Sequence, residues 1–265
     1  MCRDATVCAV ETVRWVAAVG WVGAVVRLAG LLLLADSRLP AGGHGHSGGV
    51  EALVDCGLLT STDDLALFLD ARLRTAGLVA ASFAAAASLL AAPVSGIGRY
   101  SDQYHSQAWR RWDAAVEVRT PVAALRVASR AQGAALLRTA QLAWPEDGAV
   151  RALVELGRPH QPLVLGAASA AAGATPAQAA VLAVHHLVGG AATAAVRLLG
   201  LDPLRVAAVQ AGLAPLVDET AARAASAAEL AVHADDPDLL PADATPLPEI
   251  MAELHHASEV TLFAS

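Results

Sequence analysis

Ser61-Thr-Asp-Asp-Leu65-Ala-Leu-Phe68-Leu-Asp-Ala-Arg72-Leu-Arg-Thr-Ala76-Gly-Leu-Val79-Ala-Ala-Ser-Phe83-Ala-Ala-Ala-Ala-Ser-Leu-Leu90-Ala-Ala92 is the stretch whose reading decides the fold class. Ser61 followed by Asp64 resembles a capping box, in which side chains satisfy the unpaired N–H groups of a first helical turn. Behind it, Leu65, Phe68, Arg72, Ala76, Val79, Phe83 and Leu90 fall near one face at helical spacing. Alanine and leucine are strong helix formers, so the spacing predicts one long helix reaching about Ala92, before Pro93. Pro93 to Arg99, with Gly96 and Gly98, breaks it. No strand precedes this glycine pair and no third glycine follows, so it reads as a connector and not as a nucleotide loop.

The same punctuation recurs along the chain. Trp109, Trp112 and Val116 recur at helical spacing ahead of Pro121 and should face a core. Val122 to Trp144 is the next helix, with Arg126, Arg130 and Arg138 along one stripe. That stripe is either a solvated face or a docking face for an acidic partner. Thr175-Pro176-Ala-Gln178 combines an N-cap, proline at the first helical position and glutamine at the third, starting a helix through Leu199. Asp202-Pro203 starts another, expected to reach about Leu230. Ala234 to Pro248, dense in Asp and Pro, is expected to be an irregular, mobile loop, followed by a short helix and an apolar tail, Glu259-Val-Thr-Leu-Phe-Ala-Ser265. Strand alternation is nearly absent before that tail. The fold class is therefore all-α: a single compact multi-helix domain over residues 28–265, with a variable extension over 1–27 and a short extended C-terminal tail.

Composition excludes several chemistries. Hydrophobic residues make up 55% of the 265 and aromatics only 4%, so the apolar content is mostly Ala, Val and Leu, enough for a large helical core. The net charge of −7, with scattered basic residues, argues against a nucleic-acid footprint. All 18 basic residues are Arg, and Asn is absent too. A P-loop, a Schiff-base enzyme and a protein kinase each need a lysine, which removes all three. Cys2, Cys8 and Cys56 are too few and too poorly spaced for a zinc site or a disulfide framework, which fits a reducing cytoplasm.

Val13 to Ala35 is a nearly apolar run about long enough to cross a bilayer. Arg27 would lie toward the middle of such a span, costing about 2.5–3.5 kcal/mol there. The part from Arg27 onward is therefore read as a core helix, with a membrane anchor as the alternative.

Nine histidines raise the question of metal or catalytic chemistry. His185-His186 and His255-His256 are adjacent pairs, and helical neighbours diverge by about 100°, so neither pair can chelate from one face. No His-Glu-x-x-His or Gly-x-Ser-x-Gly motif is present. His46-Ser47 with Asp55 could form a triad, but nothing in their spacing demands it, and no catalytic residue is assigned. The exception among the histidines is Pro40-Ala-Gly-Gly-His44-Gly-His46-Ser-Gly-Gly-Val-Glu51. Here His44 and His46 could present imidazoles to a metal such as nickel. Equally, the glycines would allow a tight turn or a close protein contact, and that structural or interface use is the preferred reading.

These residues carry a family resemblance. Leu33-Leu34-Ala-Asp36-Ser-Arg38-Leu-Pro40, then Gly42-Gly43, His46-Ser47-Gly48-Gly49 and Glu51, resembles the opening signature of the urease accessory protein UreF family. Ser129-Arg130-Ala-Gln132-Gly133-Ala-Ala-Leu136-Leu137 resembles the family's Ser-Arg-x-x-Gly-x-x-Leu-Leu pattern. His160-x-Pro162-x-Val164-x-Gly166 resembles its His-x-Pro-x-x-x-Gly stretch, and Leu254-His255 with Leu262-Phe263-Ala-Ser265 resembles its terminus. The four occur in family order over about Leu31 to Ser265. The chain departs from the family at His44 and Gly45, where an aromatic is frequent, and at Leu201-Asp202-Pro203-Leu204-Arg205, where a Pro-Leu-Gly-Gln stretch is frequent.

The resemblance implies an all-α, dimeric, cytoplasmic, non-enzymatic chaperone. It would form a complex with UreD (also called UreH), the GTPase UreG and the urease apoprotein, and it would support GTP-dependent nickel insertion. No cofactor would be tightly bound, nickel being handled by the complex, and neither nucleic acid nor membrane would be a partner. Partner contacts are then expected at Asp36, Arg38, Pro40, Gly42, Gly43, His46, Ser47, Gly48, Glu51, Ser129, Arg130, Gly133, His160, His255, Leu262, Phe263 and Ser265, with His44 and His46 as weak metal candidates. A direct nickel carrier through that histidine pair is the alternative.

Overall fold

In the computed structural model, which describes residues 21–41, 46–92 and 102–256, the stretch Thr62–Ala91 is one continuous helix. It comprises α3 (Thr62–Arg72), a π-helical turn (Leu73–Gly77) and α4 (Leu78–Ala91), numbered after α1 (Trp21–Ala35) and α2 (Val50–Asp55). Ser61 caps it as expected: its hydroxyl accepts the Asp64 N–H, while the Asp64 carboxylate accepts from Thr60 N at 3.0 Å. Helices α5 (Asp102–Val118), α6 (Ala123–Ala143), α7 (Gly148–Glu155), α8 (Gln161–Ala171) and α9 (Pro176–Leu199) follow. After them come α10 (Pro203–Gly212), α11 (Ala214–His233), a 3₁₀ turn (Pro237–Leu239) and α12 (Pro246–His256). No strand occurs among the described residues.

Helix α4 is the axis of the domain. It is apolar on all sides, as a helix enclosed by others must be, and it packs against α8, α9 and α11. Alanine lets the neighbours come close. A Cβ on Gly166 of α8 would lie 2.2 Å from the Ala84 carbonyl oxygen and 2.6 Å from the Ala87 Cβ, so the α4–α8 contact exists only because residue 166 has no side chain. Helix α6 lies on α8, α1 and α2 on α9, and α12 across α2 and α6. Trp109 and Trp112 of α5 are fully buried, and the Trp112 ring meets Phe83 edge to face at 6.5 Å. The expectation that these tryptophans face the core holds.

Thr175 and Gln178 form a reciprocal capping box at the start of α9, and Asp202 caps α10. Two expectations need correction. The helix begun at Pro203 does not run unbroken to Leu230 but turns at Leu213 and resumes to His233. Pro215 has no N–H to give to the preceding turn and its ring crowds that turn, so the chain bends there. The second concerns residues 234–248, expected to be an irregular, mobile loop: a 3₁₀ turn forms at Pro237–Leu239, α12 already begins at Pro246, and the segment between is tied down. The almost buried Arg119 side chain donates to the Pro237 and Pro241 carbonyls at 3.1 and 3.2 Å, and Leu240 is in the core.

Two helices, Thr62–Ala91 and α9, are long and apolar enough to cross a bilayer, but most of each apolar stretch is buried against other helices, 67% and 56% respectively. Helix α1 is divided: Leu34 is in the core, whereas Leu28, Leu32 and Leu33 face outward.

Candidate functional site

The second and third motifs meet at one point. On α6, Gly133 faces the loop that leads into α8, and a Cβ there would lie 2.1 Å from the Pro159 carbonyl oxygen. Its absence lets the loop lie against α6 and seats His160, fully buried and the N-cap residue of α8, beside Ser129. His160 Nε2 is 2.9 Å from Glu117 Oε2 and Nδ1 is 3.0 Å from Ser129 Oγ. A carboxylate can only accept, so the neutral imidazole carries its proton on Nε2, and Nδ1 accepts from the Ser129 hydroxyl. Ser129 Oγ in turn accepts the Gln161 N–H at 3.3 Å.

Arg130 completes the network. Its guanidinium donates to Asp113 Oδ2 at 3.1 Å, to Glu117 Oε2, and to the Arg158 carbonyl at 2.6 Å. The other Asp113 oxygen accepts the His160 N–H at 2.9 Å, and Arg126 Nε reaches Glu117 Oε1 at 2.9 Å. Three helices are thus joined by two carboxylates, two guanidinium groups and one imidazole. Arg126 and Arg130 are therefore not a free solvated face, because α5 supplies their acidic partners, whereas Arg138 is exposed. Asp113 and Glu117 were not singled out from the sequence. The signal was present in the buried phase of Trp109, Trp112 and Val116, which fixes where residues 113 and 117 point. What the sequence lacked was their partner helix.

Burial lowers the His160 pKa below its ordinary value of 6.5, outweighing the bond to Glu117 and the nearby Asp113 charge. Burial alone would raise the Glu117 pKa, but the bonds from Arg130 and His160 hold it below the usual range. The signs follow by linkage. A histidine with a depressed folded pKa contributes stability that is complete above about pH 6.5, the unfolded value, and is lost as pH falls toward the folded one. Glu117 adds a further loss below its unfolded value. Buried His186, whose ring bonds the Leu34 carbonyl, acts in the same direction as His160. We expect Tm to fall on acidification from pH 6.5 to 5, with a shallower slope in His160→Gln, read by circular dichroism at fixed ionic strength. Equal slopes in the two proteins would count against this network as the acid-sensitive element.

The opening motif lies close by. Asp36 and Arg38 form an exposed, forked ion pair just after α1, and Arg38 holds the Asp36 pKa at about 2. The exposed Pro40 offers its carbonyl to the Thr139 hydroxyl at 3.2 Å. Gly48 and Gly49 have φ of +64° and +93°, which glycine alone adopts without strain, and they turn the chain into α2. Ser47 and Glu51 are buried. A cavity of about 330 Å³ touches all three motifs: Asp36 and His46 from the first, Ser129 and Gln132 from the second, Gln161 and Pro162 from the third. Gly42, Gly43 and His44, together with Leu262, Phe263 and Ser265, lie outside the described residues, as does the His255 side chain. Among the described residues, no group of three His, Cys, Asp or Glu side chains is placed to hold a metal ion.

Comparison with known proteins places the sequence in a family. The family model for UreF matches residues 59–214, which include Ser129, Arg130, Gly133, His160 and Gly166. A protein named urease accessory protein UreF from Mycobacterium sp. (strain JLS) is 45% identical over 240 residues, covering 90% of this chain and 99% of the relative. One of the same name from Mycolicibacterium vanbaalenii is 43% identical over 242 residues, with the same coverage. A third, from Mycobacterium tuberculosis (strain ATCC 25177 / H37Ra), is 41% identical over 198 residues, covering 74% of the chain and 85% of the relative. With three of its four motif segments around one cavity and relatives of this identity aligned along most of its length, the chain belongs to the UreF family of urease accessory proteins.

Proposed function

We propose that this protein is a non-catalytic scaffold of urease maturation. In this reading it joins UreD (UreH) to the GTPase UreG, acts as a homodimer in the cytoplasm, and supports GTP-dependent nickel insertion into apo-urease. One observation supports this reading most: three motif segments meet around one cavity, and the polar network beside it, Asp113, Glu117, Arg130 and His160, is committed to holding helices together. The histidine of the network is buried and its proton is engaged by Glu117, so it has no access to a substrate. What the motif region offers outward is the Asp36–Arg38 turn, where Arg38 is 88% exposed. An exposed ion pair contributes little to stability and is free to be exchanged for a partner's charges.

The corresponding test separates contact from folding. The double variant Asp36→Ala, Arg38→Ala should keep the wild-type Tm within about 2 °C, since exposed pairs count for little. It should lose co-elution with UreD and UreG on size exclusion. A variant that still co-elutes with wild-type stoichiometry would remove this turn from the interface.

A further inference from the structure

The cavity holds one side chain that the scaffold reading leaves unused. Arg72, the last residue of α3, is only 9% exposed and lines the cavity, and its Nε has no hydrogen-bond partner. Among the described residues it forms no ion pair. Glu249, also in the wall, acts on it electrostatically, but its carboxylate is engaged by the Thr245 N–H at 2.9 Å. The Phe68 ring lies 5.9 Å from the guanidinium carbon. Arg119, the neighbouring cation in the wall, differs in kind, being spent on backbone carbonyls. Arg72 also stands directly before the π-helical turn Leu73–Gly77, a costly irregularity that recurs at functional sites. Glu249 and the Phe68 face offset only part of the cost of burying a guanidinium whose Nε is unbonded, and an anion in the cavity would complete its bonding.

The walls indicate which anion. Asp36, Asp243 and Glu249 all border the space, so a second negative charge on the ligand would be repelled. Leu39, Val79 and Ala80 supply apolar surface, and 330 Å³ falls at the small end of the range of about 300–1,000 Å³ for small-molecule sites. We propose that this cavity binds a small carboxylic acid as its monoanion, with the carboxylate forked on the Arg72 guanidinium and an apolar body against Leu39 and Val79. A planar guanidinium matches a carboxylate in this way, with two parallel N–H···O bonds. The inference does not depend on which proteins the surface meets.

Calorimetric titration of the full chain with sodium acetate, butyrate and hexanoate, against phosphate and chloride at matched ionic strength, tests it. Affinity should tighten about fourfold per added methylene, equivalent to about 0.8 kcal/mol each. Hexanoate should bind at least tenfold tighter than phosphate. Arg72→Met should keep the wild-type helical spectrum and weaken hexanoate more than thirtyfold. Should that variant fail to fold, Ala80→Leu, which fills the cavity and leaves Arg72 in place, should abolish the hexanoate response. Absence of chain-length dependence in the wild type, phosphate binding as tightly as hexanoate, or unchanged hexanoate affinity in either folded variant would overturn the proposal.

Discussion

Alanine at Gly133 or Gly166 is expected to destabilise the fold by about 3 kcal/mol or more, although the same exchange in an open helix stabilises by up to about 1 kcal/mol. The sign reverses because both glycines face backbone, which cannot swing aside as a side-chain tip can. At Gly166 the new methyl would meet the Ala84 carbonyl at 2.2 Å, forcing α8 away from the central helix. At Gly133 it would meet the Pro159 carbonyl at 2.1 Å, displacing the loop that presents His160 to Ser129 and the Arg158 carbonyl to Arg130. Gly189 and Gly190, in the interior of α9 with nothing within 4 Å of an added Cβ, are the internal control. Alanine there should stabilise by up to about 1 kcal/mol. Urea unfolding followed by circular dichroism reads all four. Gly133→Ala or Gly166→Ala within about 0.5 kcal/mol of wild type would show that these contacts are looser than the packing described.

Arg130→Ala carries the second largest expected effect. Removing this guanidinium leaves Asp113 and Glu117 facing the same space with one fewer cation, and strands the Arg158 carbonyl. Breaking a fully buried ion pair costs about 3–5 kcal/mol. The Arg130 side chain is 30% exposed and Glu117 39%, so water relieves part of that cost and about 2–3 kcal/mol is expected. Arg130→Lys should recover less than half of it, because an ammonium keeps the charge but cannot bridge Asp113, Glu117 and a carbonyl at once. A lysine variant as stable as wild type would mean that charge alone, without the fork, holds this corner.

These effects mark where the sequence could be read and where it could not. Helix starts were legible because capping is local: Ser61, Thr175 and Asp202 each accept a backbone N–H within three residues. The enclosed α4 was legible from its unbroken alanine and apolar composition, and Trp109 and Trp112 from their spacing. The bend at Leu213 was missed although Pro215 stood in plain view, because the pattern on either side is equally helical. The site was half legible. Ser129, Arg130, Gly133 and His160 stood out through family resemblance, but their joining through Asp113 and Glu117 links residues 13 to 47 apart in the chain, and no local pattern encodes such a meeting. Arg72 looked like one more position on an apolar helical face. Only the cavity beside it and the unbonded Nε mark it out.

The scaffold reading stands or falls on assembly. The direct measurement is size exclusion with light scattering on the full chain, purified with UreD and UreG, with GTP and nickel present. The account predicts a single species containing all three proteins, from which UreG is lost when this chain is omitted. UreD and UreG associating equally well without the chain, or the chain eluting apart from both, would contradict it.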